Sequence, residues 1–274
     1  MVVLDWGWIQ ALPTGQHHLS NRAAYFILGT VFFELAGKNE SQRAGYVQKL
    51  QTLVRLNSTN VFVGRFWMEL SQHEQDPLEP VDTDQIVNWQ LTQTLRDICH
   101  ADISDMRRGI ADQRANSGDY EELRRQFVSW CERFSNLVHQ DYATDLQQMT
   151  GCLQTQFDWI RRPDRITEFV IQNHGRFDSK GGRRELSRFP DQLAAGRWCR
   201  IIAWYGLMHS LGKTASFENN WDDAQYAFLS SYTGWLATDD RRLRETTQAV
   251  FPNVRSWSTS NEVGQAETND ELLQ

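Results

Sequence analysis

The sequence predicts an α/β protein: a three-layer α/β/α sandwich with a central parallel sheet, interrupted by a large helical insertion. Three observations lead there. Short apolar runs rich in β-branched and aromatic residues alternate with helix-spaced apolar residues at both ends of the chain. Between about residues 85 and 212 the helical spacing continues with almost no strand signal. Acidic residues fall directly behind the strand-like runs in both end regions, as they do where an open sheet carries a ligand site.

Val2 to Leu4 is a continuous apolar run and reads as a strand buried on both faces. Ala24 to Leu28 is a second, closed by Gly29-Thr30, where Thr30 is placed to cap a helix carrying Val31, Phe32, Glu34 and Leu35. Val47, Leu50, Leu53 and Val54 mark a further helix, and Val61 to Phe66 a third strand. After the turn-rich Gln75 to Pro80 the character changes. Leu123, Phe127, Trp130, Phe134, Leu137 and Val138 recur at helical spacing behind Asp119 as cap, and Trp198, Ile201, Ile202, Tyr205 and Met208 repeat the pattern. Towards the end Trp221 to Tyr232 reads as helix, Gly234 to Ala237 as strand, Asp239 to Val250 as helix and Val254 to Trp257 as a last strand. The division expected is therefore 1–80 with 214–257 as the α/β core, 81–213 as the insertion, and 258–274, with four acids and no Lys or Arg, as a disordered acidic tail.

Composition narrows the function. Apolar residues make up 40% and charged residues 23%, which excludes a disordered or fibrous chain. The formal charge of −7 excludes a general polyanion binder, though not a local basic patch. Cys99, Cys131, Cys152 and Cys199 form no C-x-x-C pair, so they read as buried free thiols. The start, Met1 to Asp5, has no basic region ahead of its apolar run, and no apolar stretch approaches the roughly 18 residues of a membrane span. A cytoplasmic protein without membrane contact is expected.

Two motifs nearly occur. Gly212-Lys213-Thr214 imitates the end of a phosphate-binding loop, but Gly206 stands one residue too far back and the segment before it is helical. His73-Glu74 begins a zinc-protease motif that Pro77 ends. The acids carry more. Asp5 ends the first strand, Glu34 opens the helix after the second, Asp222 and Asp223 open the helix before the late strand, and Asp239 and Asp240 follow that strand. In a parallel sheet these places converge on one crevice. Carboxylates gathered there repel one another unless cations join them, and oxygen ligands suit Mg2+ or Mn2+, ions that promote phosphodiester hydrolysis.

At Val2-Val3-Leu4-Asp5, at Ile27 to Leu35, and at Asp223-Ala224-Gln225-Tyr226 leading to Leu236-Ala237-Thr238-Asp239-Asp240-Arg241-Arg242-Leu243, the chain resembles the PIN-domain (PilT N-terminus) nucleases. The resemblance covers about residues 1–70 and 215–257. It implies a PIN-like sandwich and a metal-dependent hydrolase cutting RNA, with Asp5, Glu34, Asp223 and Asp240 as catalytic metal ligands and Asp222 and Asp239 as neighbouring candidates. Where the family has Ser or Thr and then Asn after its first aspartate, this chain has Trp6-Gly7, so a supporting hydroxyl is missing there.

Trp6, Trp8 and Trp221 read either as core or as platforms for bases. Arg241, Arg242 and Arg244 read either as phosphate guides or as a solvated helix face. Residues 155–213 hold eleven Lys or Arg against six acids, with Arg183 and Arg184 beside Gly181-Gly182 in a basic loop that suits nucleic acid. RNA is the first choice of partner. A structure-selective DNA nuclease, and a non-cleaving PIN-like scaffold working through its insertion, are the alternatives. A toxin paired with an antitoxin, a defence effector, an RNA-processing enzyme and an oligomer all remain open. Reversing charge at Arg183 and Arg184 is expected to weaken single-stranded RNA binding and flatten its salt dependence; an unchanged affinity at low salt would remove the basic loop from the interface.

Overall fold

A computed structural model describes residues 1–11, 19–20, 22–31, 40–66, 70, 83–100, 105, 108–109, 118–149, 153–160, 162, 193–214 and 216–258. Glu34, Arg183, Arg184, Cys152, the stretch Gln75 to Pro80 and the tail from 259 onward, about which the sequence raises expectations, lie outside the described residues.

The chain opens with strand β1 (Val2–Leu4) and a short helix α1 (Trp6–Ala11), followed by β2 (Tyr25–Leu28), α2 (Glu40–Leu56) and β3 (Val61–Gly64). Helices α3 (Thr83–Ile86), α4 (Trp89–His100), α5 (Gly118–Asp141), α6 (Ala143–Met149), α7 (Leu153–Ile160) and α8 (Ala194–Ser210) come next. The chain then returns through α9 (Trp221–Thr233), β4 (Trp235–Ala237), α10 (Arg241–Val250) and β5 (Arg255–Trp257). The five strands form one sheet in the order β3-β2-β1-β4-β5, with every pair parallel. The predicted α/β class and sandwich layering hold. Val3 and Leu4 of β1 and all four residues of β2 are buried, the pattern a covered parallel sheet demands.

Two helix starts differ from those expected of the sequence, and one short helix is not foreseen there. Asp119 lies inside α5 rather than capping it, because the helix starts at Gly118. The last helix begins at Arg241, not Asp239, since the Asp240 side chain accepts from the amides of Arg242 and Leu243 and caps it. Helix α1, with six residues, is too short to display a period; Trp6, Trp8 and Ile9 bury its inner face.

The sheet layer also draws on residues beyond 80. Val63 N–H donates to Thr92 Oγ1 (2.9 Å), Asn88 N–H to the Val63 carbonyl (2.8 Å) and Arg65 N–H to the Ile86 carbonyl (2.8 Å). Helices α3 and α4 thereby occupy the outer edge of β3, which would otherwise expose unpaired backbone groups. On the other side, α9 packs on β1 and β4, and α8 packs on both α9 and α5.

Aromatic side chains tie these helices together. Phe127 of α5 meets Trp198 and Tyr205 of α8 and Trp221 of α9, and Trp198 meets Phe228, with ring centroids 5.5 to 5.9 Å apart. Several of the eleven tryptophans are spent here, and Trp6, Trp8 and Trp221 are each almost fully buried, so they are core and not base platforms. Cys99, Cys131 and Cys199 are buried free thiols, as expected. No described helix is long and apolar enough to cross a membrane.

Gly206 sets how closely α8 approaches α5. A Cβ there would stand 3.0 Å from the Cys131 carbonyl oxygen and 3.0 Å from Phe134 Cδ1. The carbonyl belongs to a helix and cannot turn away. Gly206→Ala is therefore expected to cost about 1–3 kcal/mol in denaturant unfolding, and an unchanged midpoint would show that the two helices can part without loss.

Candidate functional site at the carboxyl ends of β1 and β4

The strand order reverses its direction of growth at β1: β2 and β3 extend the sheet one way, β4 and β5 the other. Chain crossings leave a crevice beyond the carboxyl ends of the strands at such a point. Asp5 is the residue after β1, and its N–H donates to the Ala237 carbonyl of β4 (2.9 Å). Asp240 lies three residues past the end of β4, and Asp222 and Asp223 occupy the first turn of α9, whose start faces the same edge.

One hydroxyl binds the two strand ends. Thr238 Oγ1 donates to Asp5 Oδ2 (2.7 Å) and accepts from the Asp240 N–H (3.0 Å). Thr238 is fully buried, so this is a fixed contact. It reaches Asp5 from the residue after β4, whereas Trp6 and Gly7, which follow Asp5 in sequence, carry no hydroxyl. Gly7 contributes differently: a Cβ on it would press to 3.0 Å from Asp5 Oδ2. The absent side chain leaves room for the carboxylate, whose charge the Gly7 and Trp6 amides favour.

The electrostatics show that the aspartates share one neighbourhood. Burial pushes Asp5 up to about 6, with Asp240 adding repulsion while Thr238 and Gly7 pull the other way. Asp223 is pushed up to about 7, first by burial, then by the charges of Asp240, Asp5 and Asp222, with Arg242 opposing. Asp5, Asp223 and Asp240 thus come together from the two ends of the sequence. Among the described residues no group of three His, Cys, Asp or Glu side chains stands close enough to hold a metal ion as it is.

The remaining candidates separate. Asp222 Oδ1 accepts from the Tyr120 hydroxyl of α5 (2.7 Å), which commits this carboxylate to the insertion; burial raises it also. Asp239 is half-buried, one residue ahead of the cap. Arg241 is exposed and paired with Glu245 (2.7 Å). Arg242 donates to Thr214 Oγ1 (2.8 Å) and stands within the field of Asp223. Arg244 donates to the Thr238 carbonyl (3.1 Å), behind the site. In the sequence Thr238 is legible only as part of a turn. Its role depends on a partner 233 positions away.

No protein-family model matches the chain, and neither a curated protein nor a solved structure matches it.

A carboxyl held above its ordinary value binds its proton more tightly folded than unfolded, so stability falls as pH rises between the two values. For Asp223 that window runs from 3.8 to about 7. In chelator at pH 8, Asp223→Asn is expected to stabilise the protein by on the order of 2 kcal/mol, raising Tm by about 4–8 °C. The advantage should fade as pH is lowered towards 4. A variant that melts at or below the parent at pH 8 would mean that the carboxylates do not crowd one another.

Proposed function

We propose that the chain is a divalent-metal-dependent endonuclease of the PIN type, hydrolysing phosphodiester bonds in RNA by preference, with Mg2+ or Mn2+ as its ion. The observation that carries this reading is the gathering of buried Asp5, half-buried Asp223 and exposed Asp240 at the switch point of a parallel sheet, where Asp5 and Asp240 repel the charge of Asp223 and Arg242 opposes it. A protein folds such repelling groups together at a cost in stability, and the cost is explained if a cation joins them in the working state. The donors are all carboxylate oxygens, the kind that suits these ions. The preference for RNA follows from the resemblance in the three sequence blocks.

Asp5 and Asp223 would hold the ion, with Asp240 offering the carboxylate oxygen that does not cap α10 and Glu34 as the fourth expected ligand. An ion held there supplies positive charge to the phosphodiester and acidifies a water. The chain's own groups do the rest. Thr238 fixes the Asp5 carboxylate against rotation, the Gly7 and Trp6 amides hold its charged form, and Arg242 offsets the charge of Asp223.

A second reading, a PIN-like scaffold that no longer cleaves, is favoured by the spacing of the carboxylates, which among the described residues do not enclose an ion unaided. The two part cleanly in one assay. Single-stranded RNA, single-stranded DNA and a DNA flap are incubated with Mn2+ or with chelator. RNA cleavage that needs Mn2+ and is lost in Asp5→Asn and Asp240→Asn is the expected result. Thr238→Val, which keeps the shape but removes the hydroxyl, should slow cleavage by about 10- to 100-fold. Cleavage that survives chelator or both aspartate changes would sink the metal site, and no cleavage with no Mn2+-induced rise in Tm would overturn the nuclease and favour the scaffold.

A further inference from the structure

Beside the acidic cluster lies a cleft of about 600 Å3, within the size range of small-ligand sites. Its walls come from both parts of the molecule. Phe157 of α7, Trp204 of α8, Lys213 and Thr214 of the turn after α8, and Asp240 and Arg242 at the start of α10 all line it. Asp240 therefore belongs to the cleft and to the carboxylate cluster at once. Tyr205 links them too: it lines the cleft and lies within the fields of both Asp223 and Arg242.

The lining is chemically divided. Phe157, half-buried, is backed by the almost fully buried Trp204, with centroids 5.5 Å apart and planes tilted by 46°. With these rings the cleft is lined by two held cations. Lys213 Nζ donates to Gln156 Oε1 (2.9 Å), and Gln156, fully buried, is itself fixed by donating to the Met149 carbonyl (2.7 Å). Arg242 is held by the Thr214 hydroxyl. Arg241 also lines the cleft but spends its charge on Glu245. An inorganic anion has no use for the aromatic wall, and an apolar ligand has none for the cations. A flat ring joined to a phosphate uses both.

We propose that this cleft is a nucleotide subsite, taking one base of a single-stranded substrate against Phe157 and its phosphate between Lys213 and Arg242. The assignment rests on the nuclease reading for the direction of the strand, since the adjoining phosphodiester would then lie towards Asp240, where the expected ion would be held. It adds that helices α7 and α8, from the insertion, supply the base-binding wall.

Binding of a single-stranded RNA octamer to the full chain in EDTA, at several salt concentrations, tests the subsite without any metal or cleavage. Lys213→Ala should weaken binding and reduce the slope of log affinity against log salt by about 0.7, the mark of one lost phosphate contact on a single strand. Phe157→Leu should weaken binding by about tenfold with the slope unchanged, and Phe157→Tyr should restore it. Tm measured on each variant excludes loss of fold as the cause. Adenosine 5′-monophosphate should compete with the octamer better than adenosine or inorganic phosphate does. Competition by phosphate as strong as by the nucleotide, or binding indifferent to both Phe157→Leu and Lys213→Ala, would overturn the subsite even if Mn2+-dependent cleavage is found. The expected binding pattern without cleavage under any metal would keep the subsite and remove the nuclease.

Discussion

Everything at the carboxyl edge of the sheet depends on one contact, the hydroxyl of Thr238 between Asp5 and the Asp240 amide. Strands β1 and β4 are each three residues long, too short for ladder hydrogen bonds alone to fix the residues that leave their carboxyl ends. A buried hydroxyl that donates to one strand's terminal carboxylate and accepts from the backbone beyond the other adds the missing constraint. It also explains why a carboxylate is tolerated at a position only 8% exposed. The Asp5 charge is met by a hydroxyl and two amides, which stabilise it without neutralising it. A carboxylate paired with an arginine would be balanced and inert; this one stays available to a cation.

The sheet order accounts for the meeting of the other two acids. With β1 central, the residue after it and the residues after β4 are neighbours although more than two hundred positions separate them. Asp223 joins because α9 runs back over β1 and β4 and begins at that edge. Its position at a helix start is ordinary for an acid, since the helix field favours it. The charges of Asp5 and Asp240 act against that benefit, and burial outweighs it: the carboxyl ends well above its usual range. A capping acid would be settled by its helix. Asp223 is not settled.

The same geometry decides how much of the molecule is legible in the chain alone. Asp5 and the pair Asp239-Asp240 are legible because short buried strands in a parallel sheet are continuous apolar runs, and acids behind such runs stand out; the choice of Asp223 over Asp222 and of Asp240 over Asp239 comes only from the resemblance. The helical spacing of α5 and α8 is legible for a similar reason, an unbroken pattern within one element. What escapes depends on pairing between elements. Nothing local marks Thr92 as the partner of Val63, so the edge cover of β3 reads as the start of the insertion. Phe157, Trp204 and Lys213 are each ordinary in their own segments; only the approach of α7, α8 and α10 makes them one wall. Gly212-Lys213-Thr214 lies behind a helix, as its spacing indicates, and so is no phosphate-binding loop of the strand-to-helix kind. Two of its members face the cleft all the same.

The insertion also has a part in the chemistry of the carboxylates that its position in the sequence does not suggest. Helix α9 would have a solvated outer face if α5 and α8 were not packed on it. Phe127 and Trp198 close over Trp221, Tyr205 packs against Phe127, and Tyr120 takes the Asp222 carboxylate. The first turn of α9 is thereby partly covered, and burial is the largest cause of the upward displacement of both Asp222 and Asp223. The same helices bring Lys213 and Thr214 opposite α10. A minimal sandwich with these strands would set the same acids at the same edge, but in water, where their repulsion is screened and their protons are lost at ordinary pH. The helical layer is thus the low-dielectric half of the site, and the α/β core supplies the charges it acts on.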